Sequence, residues 1–159
     1  SISLRKRVKP NLNFDLRLVN LKRQKPEFKN LKYKEILKHL TKLDNSRADI
    51  GLCSNNKIFE TGTSNLLFVK NNKFFSPINK FYKGITYKFF RSKIKNIIKK
   101  NILINSLKDF DEIILIGSGK GVTSVKTINQ IKWKRKNLKF YNILCQHYKS
   151  AVSNCKRYS

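Results

Sequence analysis

Two short stretches of this chain have the composition of anion sites. The run GSGKG, Gly117 to Gly121, follows the apolar segment EIILIG, and glycines there would let backbone amides come close to a phosphate or a carboxylate. Its residue order is not that of a nucleotide-binding P-loop, and the VTSVKTI that follows has the pattern of a strand, so a tight turn is the plain alternative. Gly84-Ile85-Thr86 opens a run of helical spacing, where free first-turn amides and a hydroxyl make a similar site, although any helix start shares those features. Glu60, one of only nine acids, closes a strand-like run in FETGTSN, where an exposed edge is the ordinary reading. Metal chemistry has little support. Three cysteines, Cys53, Cys145 and Cys155, and two histidines, His39 and His147, show no C-x-x-C or other ligand spacing.

These residues must be carried by elements, and hydrophobic spacing outlines them. Residues 1–11 form a basic lead-in. From 12 to 20, Leu12, Phe14, Leu16 and Leu18 alternate with polar neighbours, as in a half-buried strand. Leu31, Ile36, Leu37, Leu40 and Leu43 approximate a helix that ends at Asp44-Asn45-Ser46. Two hairpins follow, Ile50–Cys53 with Lys57–Glu60 around Asn55-Asn56, and Leu66–Lys70 with Lys73–Phe75 around Asn71-Asn72. A basic amphipathic helix is expected from about Ile85 to Lys99, then two strands on either side of GSGKG, and a closing helix from Leu138 to Val152. The class is α/β or α+β with a mixed sheet and flanking helices.

The chain has 159 residues, enough for one core, and a formal net charge of +27 from 36 Lys and Arg against nine acids. With 40% hydrophobic residues it folds, and no apolar run nears the roughly 18 residues of a membrane span. The charge alone suggests a polyanion partner. However, only 8 of the 36 cations are Arg, the better reader of phosphates and bases, and abundant Lys, Asn (18), Ile and Phe are what A/T-rich codons produce. An odd number of thiols and a start, SISLRKRVKPNLNF, without an apolar core suit a cytoplasmic protein. The chain contains no Met, so a longer parent protein is expected.

Taken in order, KNLKY (29–33), ETGTSN (60–65), LLFVKNNKFFSP (66–77), KGIT (83–86) and EIILIGSGKGVTSV (112–125) resemble the class IV, or fold-type IV, pyridoxal-phosphate enzymes. That family includes branched-chain and D-amino-acid aminotransferases and 4-amino-4-deoxychorismate lyase. The resemblance spans roughly residues 12–130 and lies in order and spacing, not in any single word. It implies the C-terminal, cofactor-binding domain of that fold over 12–159, a mixed-sheet pseudo-barrel, with the family's N-terminal domain absent from this chain.

By the same resemblance, Lys29 is the lysine that forms a Schiff base with pyridoxal 5'-phosphate and then shuttles the substrate proton; Lys32 is the competitor, because it stands where the family usually has Asn. Glu60 is the carboxylate facing the pyridine nitrogen. Ile85 and Thr86 cradle the phosphate, and Thr123 supplies a second hydroxyl to it. Gly117, Ser118 and Gly119 line the substrate side, where Lys120 is a departure that could meet an anionic carboxylate or face water. Tyr33 is where branched-chain enzymes carry a tyrosine. Aminotransferases usually read Glu, Val or Ile, Thr, Pro around the phosphate threonine, whereas Gly121 and Ser124 replace that Glu and Pro here. The expectation is therefore a lyase forming 4-aminobenzoate and pyruvate from a small anionic amine, in a homodimer, with an aminotransferase as the alternative. Nucleic acid and membrane are not expected partners. A basic RNA- or ribosome-binding protein, stacking bases on Tyr33, Phe74, Phe75, Tyr82 and Trp133, is the reading from a different class.

Overall fold

The computed structural model describes residues 9–28 and 33–155. In chain order its elements are β1 (Phe14–Asn20), α1 (Lys34–Leu40), β2 (Ala48–Ser54), β3 (Lys57–Thr61), β4 (Asn65–Lys70), β5 (Lys73–Ser76), α2 (Ile85–Lys93), β6 (Ile97–Lys99), β7 (Ile102–Leu103), β8 (Glu112–Gly117), β9 (Gly121–Ile128), β10 (Trp133–Lys134) and α3 (Lys139–Ser153). The strands form one mixed sheet in the order β6-β5-β4-β8-β9-β1-β2-β3-β7, with β10 beside β9.

The alternating segment at 12–20 becomes β1, which buries Phe14 and Leu16 and runs parallel to both β2 and β9. Parallel neighbours need a crossover, and the connection carrying α1 supplies it, packing Ile36 and Leu40 on Ile50 and Leu52. Both Asn-Asn pairs form tight turns. Asn55, Asn56, Asn71 and Asn72 all adopt positive φ between 49° and 59°, the left-handed conformation that a two-residue hairpin requires and that Asn tolerates.

The helix expected from Ile85 to Lys99 is shorter. It ends at Lys93; Ile94 is extended (φ −88°, ψ 115°), and Ile97–Lys99 is a strand parallel to β5. The spacing of Ile94, Ile97 and Ile98 fits either period. The β-branched side chains and the open edge of β5 favour the strand, which makes α2 the second crossover.

The sheet has two apolar faces. Phe14, Ile58, Leu66, Phe68, Leu115 and Val125 belong to one inner cluster. Strands β3 and β4 stand far apart in the pairing order yet both feed that cluster, so the sheet bends around it as a pseudo-barrel. On the outer face, α2 and α3 cover Leu67, Ile114 and Ile116 with Tyr87, Phe90 and Leu144. Glu112, fully buried at the start of β8, fastens α3 by accepting the first-turn amides of Phe140 and Tyr141 at 2.8 and 2.9 Å. The supposed stacking row is not an exposed one: Phe74 and Trp133 are buried, Tyr33, Phe75 and Tyr82 are half-buried, and the Trp133 indole donates to the Phe110 carbonyl at 3.0 Å. Among the described residues no helix is long and apolar enough to cross a membrane.

Candidate active site

Strand β3 pairs with β2 out of step. Glu60 lies opposite Leu52 but Ile58 lies opposite Cys53, so Phe59 is an extra residue. A bulge of this kind shifts the in-and-out alternation of side chains. Ile58 therefore enters the inner cluster, whereas Glu60, two residues on, shares the outer face with Leu52. It is not an exposed edge residue. Glu60 is 3% exposed, Arg23 Nε donates to its Oε1 at 2.9 Å, and the Tyr82 amide lies 3.4 Å from Oε2. Burial pushes the Glu60 carboxyl above its ordinary value, against the downward pull of the Arg23 charge and hydrogen bond and of the Tyr82 amide.

The same loop that reaches Glu60 leads into α2. Tyr82 donates its amide toward Glu60 and gives its carbonyl to Asn65 Nδ2, while Asn65 Oδ1 accepts the Gly84 amide at 3.1 Å. A Cβ on Gly84 would stand 3.1 Å from Asn65 Oδ1, so glycine is what lets the loop close onto Asn65. No side chain caps the N-terminus of the nine-residue α2, which leaves its first amides for solvent or a ligand. Thr86 is buried there, and Ile85 is 76% exposed, so Ile85 offers its backbone only. Beside this loop lies a cleft of about 620 Å³, bounded by Pro26–Phe28 on one side and Asn79–Lys83 with Lys88 on the other. The segment 26–28 immediately precedes Lys29; Lys29 and Lys32 themselves lie outside the described residues.

GSGKG is a tight turn between antiparallel strands. Gly117 pairs with Gly121, which takes φ 70°, and Ser118 and Gly119 are exposed at its tip. A Cβ on Gly117 would lie 3.0 Å from Ser64 Oγ, so this turn abuts the one at Thr61–Ser64. Lys120 neither faces water nor projects from the turn tip. Its ammonium sits over the Phe14 ring at 4.9 Å and bonds Asp49 Oδ2 at 3.0 Å.

Thr123 is placed otherwise than the resemblance implies. It is in register with Leu115, and Leu115 with Leu66, both in the inner cluster, whereas Asn65, Ile116 and Val122 share the outer face on which α2 packs. Strand alternation thus turns Thr123 away from the α2 terminus, and its hydroxyl is buried without a hydrogen-bond partner. The structure accordingly joins Glu60, Asn65, Gly84 and Thr86 through one loop, sets Gly117–Gly119 at the adjoining turn, and separates Thr123. Sequence reasoning missed Arg23 and Asp49, and named Tyr82 only as a stacking residue. Asp49 carried a signal, a lone charge inside the apolar run ADIGLC; Arg23 carried none, being 37 residues from its partner.

A family model of amino-transferase class IV matches residues 5–128. No curated protein matches the sequence. Among solved structures, a Legionella pneumophila protein provisionally assigned as 4-amino-4-deoxychorismate lyase superposes with a TM-score of 0.78 at 18% identity, over 92% of this chain and 59% of that one. Branched-chain aminotransferase from Thermoproteus uzoniensis gives 0.76 at 16% identity, over 91% and 52%. The 4-amino-4-deoxychorismate lyase of Pseudomonas aeruginosa gives 0.69 at 13% identity, over 92% and 56%. These likenesses establish a shared fold, and the chain spans a little more than half the length of the structures it matches. With the family model covering most of its length and the same sheet recurring in those structures, the chain belongs to the amino-transferase class IV family.

Proposed function

We propose that this chain is the cofactor-holding part of a pyridoxal-phosphate-dependent lyase that converts 4-amino-4-deoxychorismate to 4-aminobenzoate and pyruvate, a step of folate biosynthesis. The observation that carries this reading is a buried carboxylate and an uncapped helix start, held together by one loop through Tyr82 and Asn65. Such a pair suits a ligand with a basic ring nitrogen at one end and a phosphate at the other. When bound, pyridoxal phosphate supplies a carbonyl that takes up amines and a ring that accepts electrons released at the substrate carbon.

The chain's own residues then have separate tasks. Glu60 holds the proton on the ring nitrogen, and Arg23 keeps the carboxylate oriented and opposes its neutralisation by burial. The amides of Ile85 and Thr86, with the Thr86 hydroxyl, receive the phosphate at the positive end of α2. Lys29 would provide the primary amine that holds the cofactor and, once released from it, would be the base that takes the proton from the substrate ring, whose aromatisation would accompany the loss of pyruvate. Lys80, Lys83 and Lys88 along the cleft suit a multiply anionic substrate. Assembly as a homodimer and a cytoplasmic location go with this reading, and the free cysteines suit a reducing compartment.

The lyase is preferred to an aminotransferase because Gly121 and Ser124 stand where aminotransferases usually carry Glu and Pro. The second reading, a branched-chain or D-amino-acid aminotransferase, rests on Tyr33, half-buried at the start of α1. Pyruvate release from aminodeoxychorismate, measured against transamination of branched-chain and D-amino acids, decides between them. The lyase reading expects pyruvate release, and transamination without it would overturn that reading.

A further inference from the structure

Asp49 and Lys120 are 71 residues apart and meet beneath the candidate site. Asp49 is completely buried on β2, and the Lys120 side chain is only 9% exposed. Taking both charges out of water is costly and persists only where the geometry satisfies them. Here it does. Asp49 Oδ2 accepts Lys120 Nζ at 3.0 Å, Thr61 Oγ1 at 2.9 Å and Thr63 Oγ1 at 2.6 Å, and Oδ1 accepts the Ile50 amide at 2.8 Å.

The topology gives these bonds a direction. In the sheet β1 lies between β9 and β2, so Lys120, just ahead of β9, crosses β1 over the Phe14 ring to reach Asp49. Asp49 also holds both threonines of the Thr61–Ser64 turn, and that turn abuts Gly117. One carboxylate therefore ties together the hairpin turn between β8 and β9 and the turn that leads from β3 into β4, a strand with which β3 does not pair. It does so from the inner face, because Asp49 is in register with Leu16 of the inner cluster, while Glu60, next to Thr61, faces outward.

We propose that Asp49 and Lys120 are a positioning pair that locks the 117–121 turn against the Thr61–Ser64 turn, so that Lys120 governs affinity for the substrate's carboxylate through the turn and not by touching it. The part of this that concerns substrate rests on the reading of Gly117–Gly119 as the substrate side. The part that concerns the turn stands on the geometry alone.

The test separates the two. Lys120→Met, Asp49→Asn, their double variant and Lys120→Arg are compared with the parent chain. In the cofactor-free chain, the amide resonances of Gly117, Gly119 and Gly121 report the turn, and the Gly84 amide and the Trp133 indole report the rest of the fold. The double variant leaves no unpaired buried charge, so it folds even where a single variant does not. In it the turn glycines shift and gain nanosecond motion while Gly84 and Trp133 hold. Unchanged turn glycines, or equal movement of all five, would overturn the proposal. In the chain loaded with pyridoxal phosphate, the cofactor absorbance is titrated with 4-aminobenzoate, and with 4-methylvalerate as an aliphatic carboxylate. Lys120→Met and the double variant weaken probe binding by roughly ten- to a hundredfold, and Lys120→Arg recovers most of it. Loss of affinity on Lys120→Met with Asp49→Asn behaving as the parent would mean that Lys120 touches the carboxylate itself, against the proposal. If no cofactor absorbance develops in the parent chain, the function reading fails, and the turn glycines still judge the pair.

Discussion

Glu60→Gln keeps the shape of the side chain and removes its charge, which isolates what the carboxylate does. Turnover is expected to fall by roughly 10²–10³-fold while cofactor affinity changes much less, as measured by steady-state kinetics beside an absorbance titration. The same variant has a signature without cofactor. Burial holds the Glu60 pKa above its ordinary 4.5, so the folded chain binds this proton more tightly than the unfolded chain. The stability it contributes is complete below that ordinary value and is lost as pH rises through the raised one; Glu60→Gln should flatten this part of a melting-temperature profile. The Glu60 environment was only partly legible beforehand. The ending FETGTSN marked the residue, but its burial depends on the Phe59 bulge, which no local pattern announced, and on Arg23, 37 residues away. Asp49 was the opposite case, since a carboxylate within ADIGLC cannot be buried without donors, and the sequence did contain that warning.

At the scale of elements, the attachment of α3 turns on one side chain. Glu112 caps the helix from a neighbouring strand through two charge-assisted bonds. Glu112→Ala should therefore cost about 2–3 kcal/mol in a denaturation experiment and fray the residues near Phe140 first, as read by amide exchange. A uniform loss of protection along α3 would argue for general destabilisation instead. Elements whose signals are local were readable from the sequence: the Asn-Asn turns, the alternation of β1, and α3, which begins and ends within one residue of its expected bounds. The end of α2 was not, because Ile94, Ile97 and Ile98 satisfy both periods, and only the open edge of β5 selects the strand. Thr123 was misplaced for a related reason. Its place in the motif order suggested a phosphate contact, but which face of β9 it occupies follows from the β8 register.

For the whole molecule, the net charge of +27 has an energetic consequence that is separate from catalysis. Like charges on a small domain repel, and raising ionic strength from about 0.01 to 0.15 M shortens the screening length from roughly 30 to 8 Å. The melting temperature of the chain should rise over that range, and a flat or falling profile would mean that favourable ion pairs outweigh the repulsion. Among the described residues, buried ion pairs are formed by Glu60 with Arg23 and by Asp49 with Lys120, and both lie at the candidate site or directly beneath it. Most of the remaining lysines belong to the surface, which is why total charge pointed toward nucleic acid while the order of motifs pointed to an enzyme. The central claim, a pyridoxal-phosphate site served by Lys29, is tested most directly by adding the cofactor, reducing with borohydride and mapping the labelled peptide. The account predicts a phosphopyridoxyl group on Lys29; a label on Lys32, or none at all, would contradict it.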